Sequence, residues 1–86
     1  MSKWVASPAY AAVVRIITAA REASGLTQRE VEQRLGYEHH GWLARIETRQ
    51  RQMNLLEFIA IARVVGADER ELFDQVLREL PQAFDV

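Results

Sequence analysis

Gly25-Leu26-Thr27-Gln28-Arg29-Glu30-Val31-Glu32-Gln33-Arg34-Leu35-Gly36, then Tyr37-Glu38-His39, then His40-Gly41-Trp42-Leu43-Ala44-Arg45-Ile46-Glu47, is the stretch that decides the fold. Thr27 and Glu30 stand three apart. At that spacing an N-cap hydroxyl takes a first-turn N–H and the glutamate returns to the cap. A short helix over residues 28–35 is predicted, with Val31 and Leu35 inward and Gly36 as its stop. Tyr37-Glu38-His39 makes the turn. A second short helix then runs from about residue 40 to 47 or 48, with Leu43 and Ile46 inward and Trp42 at the core boundary.

The same signals recur on either side. Ser7-Pro8 opens a helix, a hydroxyl cap followed by a proline whose missing N–H does no harm there. Tyr10, Val13, Val14, Ile17 and Ala20 share one face at 3.6-residue spacing, and Gly25 stops the helix. After an arginine- and glutamine-rich stretch over residues 48–52, Asn54 and Glu57 form a second capping box. The helix it opens carries Leu55, Phe58, Ile59, Ala62 and Val65 and stops at Gly66. Asp68 and Glu71 form a third box, opening a helix with Leu72, Phe73, Val76, Leu77 and Leu80 that Pro81 breaks. No period-two alternation, internal repeat or low-complexity tract is present. The expectation is an all-α, five-helix bundle: one domain over residues 1–86, with its core at about 8–80 and a frayed tail over the last residues, 81–86.

Composition narrows the function. A chain of 86 residues, 49 % hydrophobic and 27 % charged, is globular but has little room for a buried catalytic cleft. Without cysteine it has no disulfide, thiolate nucleophile or Cys-ligated metal. Neither a membrane-spanning apolar run nor a signal-like segment before Arg15 is evident, so a cytoplasmic location is expected. The serines Ser2, Ser7 and Ser24 have no credible histidine and acid partners, no phosphate-binding glycine motif occurs, and Glu30 and Glu32 point to different helix faces. Adjacent His39 and His40 lack a third ligand at helical spacing and are poor evidence for zinc. No enzyme, metal or cofactor is expected.

Charge separates along the chain. The formal net charge is −1, yet residues 1–53 hold eight basic and five acidic groups, for +3, and residues 54–86 three and seven, for −4. Ten of the 11 basic residues are arginine, the type suited to bidentate contact with phosphate and guanine.

Two short helices joined by a glycine-containing turn form a helix-turn-helix. Ala20-Arg21, Gly25-Leu26-Thr27-Gln28, Leu35-Gly36, Arg45-Ile46-Glu47, Arg51-Gln52-Met53-Asn54-Leu55-Leu56-Glu57-Phe58 and Ile61-Ala62…Gly66 occur in order. This set resembles the Cro/repressor-type, or XRE-like, helix-turn-helix family, whose pattern reads GLTQ.ELA..LG, then K/R-x-E, a glycine-containing loop, and LE-F..IA..LG. The resemblance covers about residues 10–73. It implies a lambda-repressor-like bundle and a DNA-binding transcriptional regulator, a repressor, that dimerises on palindromic duplex operators. By the same resemblance Gln28 contacts phosphate and braces the recognition helix, and Arg21 and Glu47 form a structural pair. His40, Gly41, Ala44 and Arg45 fall at base-contacting positions, and Gln28, Arg29, Arg49 and Arg51 at phosphate-contacting ones, with Arg34, Gln50 and Gln52 as further candidates.

The sequence departs from the pattern in three ways. One extra residue lies between Gly36 and Glu47; it lengthens the turn, or rotates the recognition helix by up to about 100° if the helix absorbs it. Arg49 replaces the loop glycine. The base-facing side is thin in long polar groups. These departures keep open an alternative, an antiactivator or antirepressor that binds a regulatory protein on the same scaffold. The wide stripe of Leu72, Phe73, Val76, Leu77 and Leu80 is a dimer or partner surface in either case, beyond what closes the core.

Overall fold

The computed structural model describes residues 3–80. A 3-10 turn over Lys3–Ala6 leads into five helices, α1 Pro8–Ser24, α2 Gln28–Arg34, α3 Trp42–Glu47, α4 Leu55–Val64 and α5 Glu69–Glu79. The expected breaker at Pro81 and the tail lie outside the described residues.

Local chemistry sets most helix ends. The Ser7 hydroxyl accepts the Tyr10 N–H at 3.1 Å and Gly25 closes α1 at φ 79°. Thr27 and Glu30 form a reciprocal box at 3.1 and 2.9 Å, as do Asn54 and Glu57 at 2.8 and 2.9 Å. Asp68 caps α5 through the N–H groups of Arg70 and Glu71, but Glu71 does not return the bond, so this end is a one-way cap rather than the expected box. Helix α2 ends in a Schellman arrangement, Tyr37 N–H to Glu32 O at 3.0 Å and Gly36 N–H to Gln33 O at 3.1 Å. Gly36 takes φ 87° there, which admits glycine without steric cost.

Helix α1 runs through the middle, packed by α3, α4, α5 and the N-terminal turn. It therefore buries more than one stripe: Ala9, Ala12 and Ile16 join the expected Tyr10, Val14 and Ile17. Ile17, Val31, Leu43, Ile46 and Ile61 are almost fully enclosed. Each such side chain contributes about 1.5–3 kcal/mol relative to exposure. On α4, Phe58, Ile61 and Ala62 face inward, as does its C-cap Val65, whereas Leu55, expected inward, is 63 % exposed. It is the first residue of α4 and lines an open groove with Phe58, Ile59 and Phe73 instead of entering the core. On α5 the wide stripe divides. Leu72 and Val76 are buried and Leu80 packs against the core, while Phe73 and Leu77 are 47 % and 55 % exposed. Among the described residues no helix is long and apolar enough to cross a membrane, and no three acidic, histidine or cysteine residues cluster as metal ligands.

Candidate nucleic-acid interface

The two short helices meet as the spacing predicts, but α3 starts at Trp42, not at residue 40. His40 lies exposed in the turn and Gly41 is the N-cap, with φ 108°. A β-carbon on Gly41 would be strained by that backbone and would sit 3.5 Å from Arg45 Nη1, so the Arg45 side chain folds back toward the start of α3. The extra residue is thus taken up before α3, and the helix itself is regular. Trp42 is not a boundary residue. It is 6 % exposed and stacks on Tyr37, with ring centroids 4.3 Å apart and planes inclined by 19°. The Arg51 guanidinium lies 6.0 Å from its ring centre, within range of a cation–π contact.

Glu32 is a capping residue that sequence reasoning missed. It is 1 % exposed, and its Oε2 accepts the N–H groups of Gly41 at 3.0 Å and Leu43 at 2.8 Å. The cap of α3 therefore comes from α2. One signal was visible: α3 alone among the helices has no Ser, Thr, Asn or Asp before it, while the preceding helix carries an acid beside its inward Val31.

The far end of α3 is tied to α1 and α2. Arg21 grips Glu47 with two bonds, Nε to Oε2 at 2.7 Å and Nη2 to Oε1 at 3.0 Å, and its Nη1 donates to Leu26 O at 2.9 Å. The Gln28 amide donates to the same Glu47 Oε1 at 2.8 Å. The hydrogen bonding to Glu47 is the main reason that the Arg21 guanidinium is held above its ordinary pKa. After α3, the Tyr10 hydroxyl donates to Arg51 O at 3.1 Å and accepts the Met53 N–H at 2.8 Å, fixing the loop against α1.

The cations separate into held and free. Arg51 forms two bonds to Glu57, at 3.0 and 2.9 Å. Burial alone would raise the Glu57 carboxyl; Arg51, the Asn54 N–H and the nearby Trp42 indole outweigh it and hold Glu57 below its ordinary pKa. Arg29 faces Glu32 and donates to Glu38 O at 3.1 Å. Arg15 pairs with Glu79, Arg63 with Glu69 and Arg78 with Asp74. Among the described residues, Arg34, Arg45, Arg49 and Arg70 form no ion pair. The first three belong to α2, α3 and the residues just after α3. Arg49 is also the one described non-glycine residue with positive φ, at 60°. Ala44 is half-buried at the middle of α3, and its carbonyl accepts both the N–H and the hydroxyl of Thr48.

The sequence matches the family described as "Helix-turn-helix domain" over residues 11–75. Among functionally curated proteins none matches it. A solved structure titled as an XRE-family like protein from Pseudomonas syringae pv. tomato str. DC3000 is 29 % identical and superposes with a TM-score of 0.77, covering 85 % of this chain and 88 % of that one. The shared fold, the Thr27-Gln28 opening of α2 and the bonded Arg21–Glu47 pair agree with that likeness. The chain belongs to the helix-turn-helix domain family, and its sequence and fold are similar to those of the XRE-family like protein.

Proposed function

We propose that the chain is a sequence-specific transcriptional regulator, a repressor, that lays α3 in the major groove of duplex DNA. The observation that carries this reading is the set of arginines left without an ion pair around the motif: Arg34, Arg45 and Arg49. Among the described arginines elsewhere, Arg70 alone forms no ion pair, while Arg63 and Arg78 are paired within the acidic half. Long-range attraction to phosphates needs cations that no internal carboxylate already holds.

Arg45 is the base reader, with the Ala44 methyl beside it and His40 and Gly41 approaching from the turn. Arg49 and Arg34 take phosphates. Arg29 and Arg51, whose side chains are 37 % and 39 % exposed, keep an outer edge for phosphate while holding their carboxylates. Gln28 spends one amide proton on Glu47 and offers the other. Two copies pair through the exposed part of α5, Phe73 and Leu77, next to a groove of about 340 Å³ lined by Leu55, Phe58, Ile59, Glu69, Arg70 and Phe73. A twofold there sets the recognition helices on successive major grooves, about 34–36 Å apart.

Selection from a pool of random duplexes, followed by anisotropy titration, tests the reading. An enriched site is expected, with Arg45→Ala costing about 1–3 kcal/mol on that site and relaxing its preference. A folded chain that enriches nothing and binds no duplex at low salt refutes it, and moves the assignment to an antiactivator or antirepressor that occupies a regulatory protein.

A further inference from the structure

The first N–H groups of a helix have no partner within it, and α3 begins on a glycine with no side chain to supply one. Glu32 fills that role from the neighbouring helix, bonding Gly41 and Leu43 through one oxygen. Its other oxygen faces Arg29 Nη1 at 3.4 Å, and the same guanidinium reaches the carbonyls of Glu38 at 3.1 Å and Tyr37 at 3.5 Å. One turn of α2 thus grips both the entry of the connecting segment and its exit into α3.

We infer that Glu32 is a positioning residue for sequence reading, with Arg29 as its support. Glu32 sets where α3 begins and therefore where Arg45 stands over the bases. The inference rests on the DNA-binding reading above and deepens it. Three physical points carry it. A carboxylate enclosed to this degree must be bonded to be tolerated, and here its bonds go to the start of the recognition helix and to Arg29. The positive end of the helix dipole favours a carboxylate at that place. Arg45 Nη1 lies 3.5 Å from where a β-carbon on Gly41 would stand, beside the residue that Glu32 fixes, so a shift of the helix start moves the ground under the reader. Because Glu32 consumes these N–H groups, the start of α3 does not grip a phosphate through them, and anchoring falls to side chains. Glu32 also stands where the family pattern has alanine, so this clamp accompanies the lengthened turn.

The test compares the parent chain with Glu32→Gln, which keeps size and one acceptor oxygen, and with Glu32→Ala. Affinity is measured for the selected site and for random duplex, with the folded fraction followed by circular dichroism and amide exchange read at Gly41 and Leu43. In the folded Gln variant the preference for the selected site should fall about tenfold or more, while affinity for random duplex stays within about threefold and the salt slope is unchanged. Exchange at Gly41 and Leu43 should be slow in the parent and faster in the variants. An unchanged preference in a folded variant, an equal loss on both duplexes, or free exchange at these amides in the parent overturns the inference; the last criterion holds even if both variants fail to fold. A parent with no sequence preference refutes the DNA reading instead, and the parent's exchange pattern still shows whether Glu32 holds the helix start.

Discussion

Replacing Arg49 by glycine should stabilise the fold and weaken DNA binding at once. Arg49 holds φ 60°, a left-handed backbone in which an L side chain crowds the following carbonyl. Relief of that crowding is worth about 1–2 kcal/mol. Glycine gives back about 0.5–1 kcal/mol through the extra freedom of its unfolded chain. The net expectation is a gain of about 0.5–1 kcal/mol, or a rise in Tm of about 2–8 °C for a domain of this size. Because Arg49 makes no ion pair, no internal bond is lost to offset this gain. On DNA, losing one phosphate contact should flatten the slope of log K against log salt by about 0.9, with no change in sequence preference. Urea melts give the first quantity, and anisotropy titrations between low and moderate salt give the second. A glycine variant no more stable than the parent refutes the strain argument. An unchanged salt slope removes Arg49 from the phosphate contacts.

Glu47→Ala leaves the enclosed Arg21 guanidinium and the Gln28 amide without their acceptor and should cost about 3–5 kcal/mol in urea melts; a loss under about 1 kcal/mol would show that solvent replaces the pair. Glu57 titrates below its ordinary 4.5 in the folded chain, so its stabilisation is present above that value and is lost as pH falls through its lower folded pKa. Thermal melts stepped downward from pH 5 should therefore show a decline that Glu57→Gln makes shallower, and equal slopes in the two chains would rule out this contribution. Phe73→Glu with Leu77→Glu should leave the monomer's fold intact but abolish dimers in sedimentation equilibrium at micromolar concentrations; a parent that is already a strict monomer removes the proposed interface.

Helix ends were legible wherever the deciding chemistry is local. Ser7, Thr27, Asn54 and Asp68 cap residues two or three positions ahead, and Gly25, Gly36 and Gly66 turn the chain where each pattern stops. The start of α3 was misplaced because its cap lies nine and eleven residues back, in Glu32, and no window of helical spacing contains such a bond. Leu55 was misplaced for a related reason: periodicity gives the side of a helix, not whether a neighbour extends far enough to cover it. The Arg21–Glu47 pair came from family resemblance and not from spacing, since 26 positions separate the two. Arginine alone does not reveal its role. Arg29, Arg49 and Arg51 look alike in sequence, and only the carboxylates beside two of them set the third apart.

A six-residue helix has no stability of its own, because nucleation costs more than one or two hydrogen-bonded turns return. α3 persists because three of its side chains, Trp42, Leu43 and Ile46, are buried and both of its ends are gripped by bonded charges. Those grips use residues of α1 and α2, not the outward residues of α3. Arg45 bears on no internal ion pair, and Ala44 contributes to the loop through its carbonyl, which any residue supplies. On the proposed DNA-binding reading, holding the helix is therefore separated from reading with it. The orienting entropy is spent on folding and not again on binding, so a contact made by Arg45 returns more of its interaction energy as affinity. On that reading, outward substitutions on α3 should change what is recognised while leaving the scaffold's stability nearly untouched. A change at Glu32 or Glu47, by contrast, alters the position of every outward residue together.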